Sequence, residues 1–126
     1  MWNCSISNIT FLEKVKFYKL ENLTLSDNYI TDISVLEKVH FKRLKSLGLS
    51  SNRISDISVL ERVNFKELKY LGLSSNKISD ISVFENIKLD YLKTLKIYYN
   101  EINLDKYSLL INKLKDKIKS FEYGND

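Results

Sequence analysis

The 126-residue sequence predicts an α/β solenoid, one domain wound from repeated coils that each supply a short strand and a short helix. Three observations point there. Leu20, Leu44, Leu68 and Leu92 stand 24 residues apart, as do Leu23, Leu47, Leu71 and Leu95, and Asn28, Asn52, Asn76 and Asn100. Segments 44–67 and 68–91 are identical at 15 of 24 positions without a gap, which chance does not produce. Within each unit, an apolar period of two gives way to a spacing near three.

The strand comes first. In Leu44-Lys-Ser-Leu47-Gly-Leu49, alternate apolar residues mark a strand of three to five residues with one buried face. Ser50-Ser51-Asn52 then reads as a turn. Ile54, Ile57, Leu60 and Val63 follow at the spacing of a curved or helical stretch with one inward side. Ser34-Val-Leu-Glu37, Ser58-Val-Leu-Glu61, Ser82-Val-Phe-Glu85 and Thr10-Phe-Leu-Glu13 all match the capping box. They predict a helix of one and a half to two turns per unit, from Val35 to about His40 and equivalents. Helices this short need packing to hold them. No unit can bury its apolar face alone, but stacked copies can, each Leu meeting the same Leu of the next coil.

Composition narrows the class. The hydrophobic share is 44%, and with no Ala in the chain it consists of large side chains, which excludes intrinsic disorder. The longest apolar run is three residues, so no segment forms a membrane-spanning helix. Met1-Trp2-Asn3-Cys4 leads into no apolar signal core. One Cys excludes an internal disulfide or a cysteine-cluster zinc site and fits a reducing, cytoplasmic compartment. No nucleophile–base pair, metal cluster or phosphate-cradling loop is present, so the expectation is a non-enzyme without cofactor, metal or small-molecule substrate.

Leu-x-x-Leu-x-Leu-x-x-Asn-x-Ile stands at 20–30, 44–54 and 68–78, and with Ile97 for the third Leu at 92–102. The pattern resembles the leucine-rich repeat family. Its continuation (Asp56, Ile57, Leu60) is similar to the short-repeat class of phosphatase regulatory subunits and internalins, with 24 residues where those usually have about 22. The resemblance implies a right-handed superhelix with a short parallel sheet on the concave face and short helices on the convex face. It divides the chain into a partial coil 1–19, repeats 20–43, 44–67, 68–91 and 92–115, and a capping helix with a possible last strand at about 105–123. Running the phase backwards places Cys4 at the Asn position. The N-terminal end, with Trp2, Ile6 and Ile9, is left open to loose cover, dimerisation or continuation into further protein.

Candidate residues follow from this register. Asn28, Asn52, Asn76 and Asn100 read as a structural ladder whose amides satisfy the turns. Asp32, Asp56 and Asp80 form a column better suited to turn and helix-start stabilisation than to calcium, which needs six to eight oxygens at one point. His40 lacks metal-ligand company and reads as an exposed side chain. The resemblance implies binding on the concave sheet face. Its middle is small, rich in Ser and Gly, while Tyr70, Lys96, Tyr98 and Tyr99 converge by phase toward the C-terminal end. These four are the candidate partner-binding residues, tyrosine being favoured at interface hot spots. A basic phase through Lys42, Arg43, Lys45, Lys66 and Lys69 is diluted by Glu21, Glu67 and Asp90, so neither nucleic acid nor membrane is the expected partner. The predicted function is a protein–protein interaction scaffold. The alternative is a self-assembling or structural module, monomer or homodimer, that uses its exposed coil ends.

Overall fold

The computed structural model describes residues 4–88 and 90–124, so Trp2, proposed above as a sticky end residue, lies outside the described residues. Five strands form one parallel sheet: β1 (Asn22–Thr24), β2 (Ser46–Gly48), β3 (Tyr70–Gly72), β4 (Thr94–Lys96) and β5 (Ser120–Glu122), in sequence order. Their register follows the repeat. Leu23, Leu47, Leu71 and Leu95 pair in line, and the last step is 26 residues, to Phe121. Parallel neighbours need a crossover connection. From β1 to β4 each crossover runs through a turn, an extended stretch and one short helical turn on the far side of the coil, and from β4 to β5 it runs through a longer helix.

The core is a set of columns. Leu25, Leu49, Leu73 and Ile97 are fully buried, and so are Ile30, Ile54 and Ile78. Each such side chain contributes about 1.5–3 kcal/mol by leaving water. That burial exists only because the next coil covers it.

The far-side helices differ from expectation in kind and length. Thr10–Glu13, Ser34–Lys38, Ser58–Glu61 and Ser82–Glu85 are single turns of 3-10 helix. The closing bonds run three residues back, as from the Leu60 amide to the Ile57 carbonyl at 3.1 Å. The capping boxes do not form. The residues preceding the turns are Ile9, Ile33, Ile57 and Ile81, without a side-chain cap. The start is held by the Asp column instead: the Ser34, Ser58 and Ser82 amides donate to Oδ1 of Asp32, Asp56 and Asp80 at 2.8–2.9 Å. Asn8 does the same for Thr10. A single 3-10 turn is too short for Glu to reach back, whereas an Asx side chain bonds the amide two residues on. Hydrogen bonding from the serine hydroxyl, then from the amide, holds all three Asp pKa values below their ordinary value.

The only α-helix among the described residues is α1 (Ser108–Lys117), in the last coil. Leu110, Ile111 and Leu114 form its buried face, at helical spacing. Lys113, Lys115 and Lys117 face water, and the last two suit the negative end of the helix dipole. Tyr107, just before α1, is buried and its hydroxyl donates to Asp80 Oδ1 at 3.1 Å, tying the helix to the coil beneath.

Candidate functional site

The sheet face is built on a turn that recurs with little change. Asp27, Ser51, Ser75 and Tyr99 all have φ between 55 and 59°. The following Asn locks each turn. Asn76 Oδ1 accepts from the Ile54 amide at 3.0 Å, and its Nδ2 donates to the Leu49 and Leu73 carbonyls. Asn52 and Asn100 repeat this arrangement. Asn28 Oδ1 accepts from both Cys4 and Ile6. Each Asn therefore joins its own turn to the coil before it, with its polar atoms satisfied inside the core. Cys4 occupies the Asn phase but is exposed.

The outward rows follow from this scaffold. One runs Thr24, Gly48, Gly72, Lys96, Glu122 across the strands. The two glycines sit under their neighbours. A Cβ on Gly48 would lie 2.5 Å from Thr24 Oγ1, and one on Gly72 would lie 2.9 Å from Tyr70 Oη. Another row runs Ser26, Ser50, Ser74, Tyr98, fixed by amide bonds such as Ser75 to the Tyr98 carbonyl at 2.9 Å. Ser50 Oγ accepts from the Ser74 amide. The buried Ser74 hydroxyl itself has no hydrogen-bond partner among the described residues.

At the C-terminal end these rows change character. Tyr98 and Tyr99 meet edge to face, centroids 5.1 Å apart at 81°. Phe121 and Tyr123 stack at 4.9 Å, and Lys115 Nζ lies 5.0 Å from the Tyr123 ring. Tyr98, Tyr99, Phe121, Glu122 and Tyr123 line one open hollow. Lys96 reaches its rim through an ion pair with Glu122, 3.4 Å. Tyr99 is 51% exposed although its φ of 55° is a conformation bulky residues rarely adopt.

Of the four candidate binding residues, Tyr98 and Tyr99 line the hollow and Lys96 flanks it. Tyr70 does not join them: it lies along its own strand, over Gly72. Phe121, Glu122 and Tyr123 complete the hollow and were not singled out as binding residues by sequence. Alternation in Phe121-Glu122-Tyr123 marks a last strand with a two-residue shift, but that shift takes these residues out of the 24-residue phase from which the binding residues were chosen. No group of three or more His, Cys, Asp or Glu side chains suited to a metal occurs among the described residues. No described helix is long and apolar enough to cross a membrane.

Comparison with known proteins agrees with this geometry. Residues 42–86 match the family described as leucine rich repeats, in two copies. The chain has the fold of a leucine-rich repeat solenoid. An internalin (inlF) of Listeria monocytogenes is similar over 97% of this repeat chain and 34% of its own, at 28% identity and TM-score 0.73. Internalin C2 of the same organism is similar over 94% of this chain and 47% of its own, at 27% identity and TM-score 0.71. The leucine-rich repeat ectodomain of the receptor kinase SOBIR1 from Arabidopsis thaliana shares the fold, with 20% identity and TM-score 0.64, over 99% of this chain and 65% of its own. This repeat chain spans between a third and a half of the length of the internalins it matches. A search of curated proteins gives no match.

Proposed function

We propose that this chain is a non-enzymatic protein-binding scaffold whose partner seats at the C-terminal corner of the concave sheet face. One observation carries the reading. On a backbone that repeats coil after coil, Tyr98 and Tyr99 replace the serines and aspartate of the other turns, and Tyr99 does so at a positive φ that resists a bulky side chain. Leucine-rich repeat folds generally mediate protein–protein interaction, which supports a surface role. Tyr98 and Tyr99 are the anchors, large in area with few rotatable bonds to order. Lys96, with Glu122, supplies the polar rim, and Tyr70 a flat shelf toward the middle. Binding is noncovalent and needs no cofactor.

Panning a random peptide library on the immobilised chain tests this. Selected peptides, mapped by amide hydrogen exchange, should protect the segments around 96–100 and 120–124. Peptides that map to the convex turns instead would refute the assignment.

A further inference from the structure

The strand starts carry a column of like charge that folding does not require. Lys45, Lys69, Lys93 and Lys119 each stand one residue before Ser46, Tyr70, Thr94 and Ser120, which pair in register. Backbone bonds keep the column in line. The Lys69 amide donates to the Lys45 carbonyl, Lys93 to Lys69, and Ser120 to Lys93. Its members are therefore one strand spacing apart, about 4.8 Å. Like charges side by side on adjacent strands are destabilising. The start of the column shows the alternative: Glu21 holds the same place before β1 and pairs with Lys45 at 3.2 Å.

Lys69, Lys93 and Lys119 have no such neighbour. All three are exposed, and among the described residues no ion pair joins them to a carboxylate. The column lies on the flank of the solenoid. Coils stack along it and do not cover it, so its exposure belongs to the middle coils as much as to the last. Aromatic surface stands on both sides of it in chain order. Tyr91, two residues before Lys93, is 61% exposed, and Tyr70, one residue after Lys69, is half-buried. This surface is separate from Tyr98 and Tyr99, which follow β4 where Lys93 precedes it.

We propose that the lysine column seats an α-helix of a partner protein that carries a stripe of carboxylates. The two spacings agree. Carboxylates at i, i+3 or i+4, and i+7 share one side of a helix and span about 10.5 Å. Lys69 to Lys119 covers two strand spacings, about 9.6 Å. Laid along the column, such a helix sets three acids against three lysines and rests its neighbouring apolar side chains on Tyr91 and Tyr70. An extended segment spaces its same-face side chains by about 6.7 Å and falls out of step at once. A nucleic-acid backbone carries charge on every unit and would also meet Glu67, Asp90 and Asp116, within three residues of the column lysines. A second copy of this chain fits poorly. Its far-side carboxylates are already engaged, Asp32, Asp56 and Asp80 by their own serines and Glu37 by Arg62 at 2.8 Å.

The probe is an alanine-based helical peptide with Glu at i, i+4, i+7 and i+11. Its control has the same composition with the Glu residues spread around the helix. At about 0.15 M salt the striped peptide should bind about tenfold or more tightly than the control, and more weakly as salt rises. Lys69→Glu, Lys93→Glu should weaken it about tenfold or more, with the melting temperature equal or higher as like-charge contacts are relieved. That variant should in turn bind the peptide with Lys in place of each Glu. Lys38→Glu, Lys77→Glu makes the same change in charge at exposed positions off the column. It should leave binding within about twofold, distant exposed charges being screened. Failure of the striped peptide to bind, equal binding of the two peptides, or an equal loss in both lysine pairs would overturn the proposal. So would tighter binding of a single-stranded oligothymidylate to the same lysines, which would seat nucleic acid there. Concentration-dependent assembly abolished by Lys69→Glu, Lys93→Glu would seat a second copy and overturn it too.

Discussion

The middle of the sheet face and its C-terminal corner share one backbone and carry opposite side chains. Gly48, Ser50, Gly72 and Ser74 make the middle; Lys96, Tyr98, Tyr99 and Glu122 make the corner. The middle is small for a steric reason, since Thr24 and Tyr70 already occupy the space a Cβ would need. The corner has no such reason to be large. Serine at positions 98 and 99 would complete the same turn, as it does at 50, 51, 74 and 75. The difference separates what folding requires from what it merely permits.

Substitutions can break that comparison at successive levels. The deepest is the shared scaffold. Asn76→Leu would leave the Ile54 amide without its partner and take from the Leu49 and Leu73 carbonyls one of two side-chain donors, Asn52 and Asn100 supplying the other. It should cost about 2–3 kcal/mol in urea unfolding, since a buried amide is left unsatisfied and two more hydrogen bonds are lost. Next is the crowded middle. Gly48→Val should cost about 1–3 kcal/mol by overpacking against Thr24 and Ser26, read from the same unfolding curve. The helical turns are shared by both regions and should matter less. Asp56→Ala removes the acceptor of the Ser58 amide and should cost about 1 kcal/mol.

That last interaction also has a pH signature. The Asp32, Asp56 and Asp80 pKa values are lowered by folding from the ordinary 3.8. Their stabilisation is therefore present above that pH and lost as pH falls through the lower folded values. Thermal melts should weaken below about pH 4, and less so in Asp56→Ala. The smallest effect belongs to Ser74, whose buried hydroxyl lacks a partner among the described residues. Ser74→Ala should be neutral or stabilising by up to about 1 kcal/mol.

The sheet was legible in the sequence because its determinants are periodic. A column such as Leu25, Leu49, Leu73, Ile97 needs the same side chain at the same phase, and period plus alternation locate it without coordinates. The helical turns were legible in place but not in kind. Ser-x-x-Glu is consistent with an α-helical cap, yet the chain closes after one 3-10 turn, and the acceptor is the Asp two residues earlier. Spacing alone does not tell which of two nearby side chains reaches an amide.

The corner was legible by half. Tyr98 and Tyr99 stand in the repeat phase, so their placement could be read. Phase also suggested that Tyr70 joins them, because phase reports the row and not the direction a long side chain takes along it. Phe121 and Tyr123 fall outside the period, since α1 lengthens the last coil by two residues.

The most direct test gives the corner the side chains of the middle, as the double variant Tyr98→Ser, Tyr99→Ser. Unfolding and calorimetric binding of a library-selected peptide are measured on the same preparation. Relief of a bulky residue at φ 55° should leave stability equal or slightly higher. Loss of two anchors should weaken the peptide by at least about tenfold. Unchanged affinity together with a loss of stability would contradict the account, because the tyrosines would then serve the fold and not a partner.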